Sequence, residues 1–127
     1  ELVMLGHDFK EDEGYTLTKQ LLSEGRDFTA IFAYNDVLAQ GALAALAEED
    51  IDVPSQVSVI GYDDTLASYS RPKLTSVSVP KEQMGRLAAE ILIKRIGGRT
   101  GERQRVLLRP DLVVRESVGP VPSSSTP

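Results

Sequence analysis

Cysteine and tryptophan are absent from this chain, and histidine occurs once, at His7. Without cysteine there is no disulfide framework and no thiolate metal site, although the compartment stays open because exported proteins also do without it. A single histidine leaves little room for a histidine-based triad or a zinc centre. No hydrophobic run approaches membrane-spanning length, so the chain is expected to be soluble. No basic segment followed by an apolar stretch marks a secretion signal. Positive charge is scarce as well: 14 Lys and Arg against 19 Asp and Glu give a net charge of −5. Nucleic-acid binding by the chain alone would need a basic face, and this composition speaks against one.

What is present is an alternation of apolar runs with two different periods. At 127 residues the chain makes at most one ordinary domain with a real core. The runs Ala30 to Asp36 (A-I-F-A-Y-N-D) and Val57 to Asp64 (V-S-V-I-G-Y-D-D) are short, β-branched or aromatic, and stop abruptly at polar residues. These features favour strands. Between them, Val37, Leu38, Ala42, Ala45 and Leu46 recur at helical spacing, which predicts a helix over Val37–Glu49 with Asn35 or Asp36 as its cap. Further strands are predicted at Leu2–Leu5, Thr29–Ala33, Leu74–Val79, Val106–Leu108 and Leu112–Val114. Helices are predicted at Asp12–Ser23, closed by Gly25, and at Lys81–Ile96, where Met84, Leu87, Ala88, Ile91, Leu92 and Ile96 form one stripe. The alternation implies an α/β fold with a mostly parallel sheet flanked by helices. Residues 1–119 are read as the ordered portion and 120–127 as a disordered Pro/Ser tail. The chain opens without Met in a strand-like run, so a piece of a longer protein is expected.

Ligands of open α/β sheets bind at the carboxyl ends of the strands. There this sequence places Asp63 and Asp64 after one strand, Asn35 and Asp36 after another, and Asp8 and Phe9 after the first. Carboxylates and an amide can bond neighbouring hydroxyls of a sugar or ribose, and an aromatic ring can stack on a sugar's C–H face or on a purine. Phe9 also reads as a core residue. Asp36 and Asp64 read chiefly as caps of the helix and turn that follow them. Asp8 is structural or a further ligand group. Gly61 is a backbone necessity at the strand end or a clearance for ligand, and His7 a surface residue. No metal site, catalytic residue or cofactor is expected. A phosphorelay receiver would carry its acidic pair after the first strand, whereas the pair here follows the third, and no nucleophile–base pair is visible.

At this point the chain resembles the effector-binding domain of LacI/GalR transcription regulators. The phrases that carry the resemblance are G-H-D-F at Gly6–Phe9, Gly14-Tyr15, F-A-Y-N-D-V-L-A-Q-G-A-L at Phe32–Leu43, V-P-S-Q-V-S-V-I-G-Y-D-D-T at Val53–Thr65, P-K-L-T-S-V at Pro72–Val77, Met84-Gly85, and L-L-R-P-D-L-V-V-R-E-S-V at Leu107–Val118. The resemblance implies a periplasmic-binding-protein-like fold of type I, here the C-terminal lobe plus the return segment of the other lobe. It implies effector contacts from Phe9, Asn35 and Asp63. It further implies a small polyhydroxylated effector, sugar or nucleoside-like, a cytoplasmic homodimer without membrane contact, and DNA binding only through a helix-turn-helix headpiece that this chain lacks. A Gln found in many members near the end of the strand after P-x-L-T is replaced here by Val79-Pro80. The strand Leu74–Val79 and the helix Lys81–Ile96 would belong to the other lobe, so that helix is expected to repack or to exchange between two copies. A periplasmic sugar-binding protein of the same fold is the alternative.

Overall fold

The computed structural model describes residues 4, 6, 8–25, 28–97 and 104–121. In chain order its elements are α1 (Glu11–Glu24), β1 (Ala30–Phe32), α2 (Asp36–Glu48), β2 (Ser58–Asp63), β3 (Thr75–Ser78), α3 (Lys81–Ile96) and β4 (Asp111–Val113). One sheet takes the order β1-β2-β3-β4. β1 lies parallel to β2 with Ile31 opposite Val59, and β2 lies parallel to β3 with Tyr62 opposite Val77. β4 returns antiparallel, Leu112 facing Val77. The mostly parallel sheet of the sequence reading is therefore present, and its two parallel ladders put the carboxyl ends of β1, β2 and β3 on one edge. The strand predicted at Leu2–Leu5 lies outside the described residues except for Met4, and His7 and residues 122–127 lie outside them too. Residues 106–108 are not a strand. A strand needs a ladder partner, and none runs beside them among the described residues.

α2 is the packing centre. Leu38, Ala39, Ala42, Leu43, Ala45 and Leu46 are all buried, which a helix achieves only when it is covered on more than one side. Leu38, Leu43 and Leu46 join Val57 and Val59 of the β2 region and Leu74 in the core, and α1 covers the other flank of α2. Glycines allow that second contact. A Cβ on Gly14 would lie 2.2 Å from the Leu38 carbonyl oxygen, and one on Gly41 would lie 2.0 Å from that of Glu11. The helices thus approach backbone to backbone. α2 ends in a Schellman turn: Ile51 N–H reaches the Leu46 carbonyl (2.9 Å), Asp50 N–H reaches that of Ala47 (3.2 Å), and Asp50 has φ 53°. Ile51 then joins the core cluster that contains Leu46.

Polar bonds fasten the carboxyl end of α2 to the body of α1. The Tyr15 hydroxyl donates to Glu48 (2.6 Å), and Lys19 bonds Glu48 (3.1 Å) and Glu49. The hydrogen bond to Glu48 raises the Tyr15 pKa, and the bonds from Tyr15 and then Lys19 hold the Glu48 carboxyl below its usual range. The bond to Glu49 and then the bond to Glu48 raise Lys19.

α3 behaves differently. It buries none of its residues; Met84, Leu92 and Ile96 of the predicted stripe stay exposed. A hollow of about 420 Å³ runs along β1, and another of 410 Å³ separates Met84, Leu87 and Ile91 of α3 from Leu107 and Pro110. No described element repacks onto the helix. Near the end of the described residues, the Gly119 N–H bonds the Ser58 hydroxyl at 3.2 Å.

Two outcomes follow from the helix pair. Gly41→Ala gains about 1 kcal/mol in helix propensity but forces the backbones apart at a cost of about 3 kcal/mol. Urea denaturation should show a lower midpoint at an unchanged m value. Because the Glu48 pKa is lowered in the fold, its contribution is complete above the ordinary carboxylate range and is lost as pH falls through the depressed value. Glu48→Gln should therefore lower Tm slightly at pH 7 and leave it unchanged at pH 2.

Candidate functional site

The chain leaves β1 at Phe32 and starts α2 at Asp36, so Asn35 and Asp36 sit at the helix amino terminus. Asn35 is the cap: its Oδ1 accepts from Leu38 N–H at 2.8 Å. Its amide NH₂ is left as a donor that can face a ligand. Asp36 is therefore not the cap. It is 1% exposed, and its carboxylate accepts from the Ser76 hydroxyl (2.6 Å), Thr65 N–H (2.7 Å) and Leu66 N–H (3.2 Å). The positive end of the helix dipole adds to this stabilisation. Gly61 is required by that carboxylate, since a Cβ there would lie 2.5 Å from Asp36 Oδ1 and 2.7 Å from Leu74 Cδ2. Of the two readings of Gly61, backbone necessity is the one the structure supplies.

Beyond Gly61 the chain turns. Asp63 and Asp64 have φ of 93° and 52°, a region that side-chain-bearing residues rarely occupy. The neighbours that hold them are specific. Asp64 N–H bonds the Ser76 hydroxyl (3.2 Å), and its carboxylate pairs with Arg115 at 2.7 Å. Asp64 thus serves an ion pair rather than a turn cap. Lys81, the first residue of α3, bonds the Asp63 carbonyl oxygen. No hydrogen bond or ion pair engages the Asp63 carboxylate among the described residues. Of Asp36, Asp63 and Asp64, Asp63 alone has an open carboxylate.

Phe9 lies at the mouth of the same edge, 49% exposed and at φ 53°. Its ring rests against Tyr34 with centroids 4.9 Å apart and planes 33° from parallel, so the simple core reading does not hold. Glu13 fixes the loop before α1, accepting from both Asp8 N–H and Phe9 N–H at 2.7 Å. Asp8 is exposed and pairs with Lys10 at 3.0 Å. Glu13, Tyr34, Ser76 and Arg115 were missed in the sequence. Only Glu13 carried a signal there, as an acid at the third position of a helix.

The edge offers an open carboxylate, an amide donor and a half-exposed ring, groups suited to hydroxyls and to a sugar or base face. Among the described residues no cluster of three or more acids, His or Cys could hold a metal ion.

Residues 1–118 match the family model of the periplasmic binding protein-like domain. A transcriptional repressor, PurR of Edwardsiella ictaluri, is 39% identical over 116 residues, which cover 91% of this chain and 34% of the repressor. The structure of the transcriptional regulator CelR in complex with cellobiose superimposes with a TM-score of 0.82 at 42% identity, covering 87% of this chain and 34% of that one. A LacI family regulator from Enterococcus faecium with bound ribose gives 0.83 at 33% identity, covering 94% and 44%. The chain spans about a third of the length of its curated relatives. It belongs to the periplasmic binding protein-like domain family, in the form that the effector-binding domain takes in LacI-type transcriptional regulators.

Proposed function

We propose that this chain is the ligand-sensing portion of a cytoplasmic, homodimeric regulator. It binds a small polyhydroxylated effector, and a helix-turn-helix headpiece outside this chain contacts DNA. Asp63 accepts a pair of hydroxyl hydrogen bonds, the Asn35 amide donates to a neighbouring oxygen, and Phe9 stacks on the ring of the ligand. The observation that carries this reading is the open Asp63 carboxylate at the carboxyl end of β2, beside Asp36 and Asp64, whose carboxylates are both engaged. A carboxylate left free at a sheet edge where ligands bind is suited to a neutral polyol.

The sugar-bound relatives support a sugar, and the Phe9 ring serves a purine face equally well. Binding acts by population shift: the effector must favour one arrangement of the cleft over the other. A second wall is expected from the parts of the protein outside this chain, so the isolated chain should bind weakly.

Thermal-shift screening of the full-length protein against cellobiose, ribose, other sugars and purine bases should identify the effector class. Asp63→Ala should weaken the responding ligand by about 30-fold or more, the value of a charged hydrogen-bonding group, while operator binding measured by gel shift persists. Phe9→Ala should also weaken it. Loss of DNA binding with unchanged ligand affinity in Asp63→Ala would overturn the reading.

A further inference from the structure

Two consecutive residues with side chains, Asp63 and Asp64, stand at positive φ at the end of β2. Such conformations persist only where the surroundings over-determine them. The restraints come from several directions. Asp36 grips the next two N–H groups, and Ser76 receives the N–H of Asp64. The restraint on the Asp64 side chain comes from the far end of the chain, at Arg115.

Arg115 is itself anchored before it reaches Asp64. Its N–H bonds Thr75 Oγ1 at 2.8 Å and its Nη1 bonds the Leu74 carbonyl at 2.8 Å, leaving Nη2 to meet Asp64 at 2.7 Å. The guanidinium and the carboxylate are only 18% and 16% exposed, so water screens the pair weakly. One planar fork thus bridges the start of β3 and the residue that follows Asp63.

We propose that Arg115 is a positioning residue for Asp63: by clamping Asp64 it holds the strand end in its left-handed turn and keeps the Asp63 carboxylate aimed at the ligand. This rests on the reading of Asp63 as a ligand group. Arg115 acts through Asp64. Lysine replaces Arg115 only in part, because one ammonium does not span both the Leu74 carbonyl and the Asp64 carboxylate in fixed geometry.

The test uses the full-length protein, with cellobiose and ribose titrated by calorimetry and Tm measured without ligand. Arg115→Met should weaken the bound sugar about tenfold or more, as expected when a site's support is loosened. Arg115→Lys should recover part of that loss. Ser117→Ala is the structural control. The Ser117 hydroxyl accepts from Thr75 N–H (2.8 Å) and donates to the Val59 carbonyl (2.6 Å) in the same return segment, with no contact to Asp64. It should lower Tm and leave affinity in place. Unchanged affinity in Arg115→Met, or a loss no larger than that of Ser117→Ala, would overturn the proposal.

A ligand-free cycle decides the matter separately. Asp63→Gly removes a strained φ without removing any bond of the carboxylate, so it should raise Tm by a few degrees in the wild-type background. In Arg115→Met, where the turn is free to relax, the rise should largely vanish. An equal rise in both backgrounds would show that Arg115 does not maintain the turn. If wild-type protein binds no sugar or purine, the site reading fails, while the cycle still decides the role of Arg115.

Discussion

A single buried carboxylate, that of Asp36, determines where the rest of the ligand edge can lie. An ion at 1% exposure is tolerable only with its donors in place, because removing one partner leaves an uncompensated charge. Its three donors come from two places, the Ser76 hydroxyl on β3 and the N–H groups of Thr65 and Leu66 just past β2. Helix, strand and turn are therefore set relative to one another by one group. The absence of a side chain at Gly61 follows from the same constraint, since Asp36 occupies the space a Cβ would fill.

That arrangement separates two pairs of neighbouring residues that look alike in sequence. Asn35 and Asp36 are both good residues for a helix start, yet one caps and the other is buried beneath the strand ends. Asp63 and Asp64 are chemically identical, yet one carboxylate is open and the other sits in an ion pair. Each pair sits where the backbone leaves its regular path, at the start of α2 and in the positive-φ turn that ends β2, so adjacent residues enter different surroundings. The charge that is committed to the fold keeps its neighbour available.

Much of this was legible in the residues themselves. The strand–helix–strand unit from Ala30 to Asp64 needed only local composition and period, and α3 ends where Gly97 follows Ile96. Local signals also brought Asn35 and Asp63 to the ends of β1 and β2, because parallel strands put those ends on one side. The bonds that give each its setting were not legible. Asp36 meets Ser76 across 40 residues, and Arg115 approaches Asp64 from the far end of the chain, so neither partnership leaves a trace in nearby sequence. The reading of residues 106–108 as a strand failed for a related reason: apolar residues in a row propose a strand, but only a neighbouring ladder makes one.

The antiparallel pairing of β3 and β4 has a mechanical meaning for α3. The excursion that contains this helix departs through β3 and comes back through β4, and the two strands are hydrogen-bonded side by side with Val77 opposite Leu112. A single connecting strand would act as a swivel. Here β3 is also paired with β2 from Thr75 to Ser78, so the two strands belong to the four-stranded sheet and cannot slide without breaking both ladders. The excursion that carries α3 is therefore moored to the sheet at both ends, at Ser78 on the way out and at Asp111 on the way back, close to the Asp63 edge.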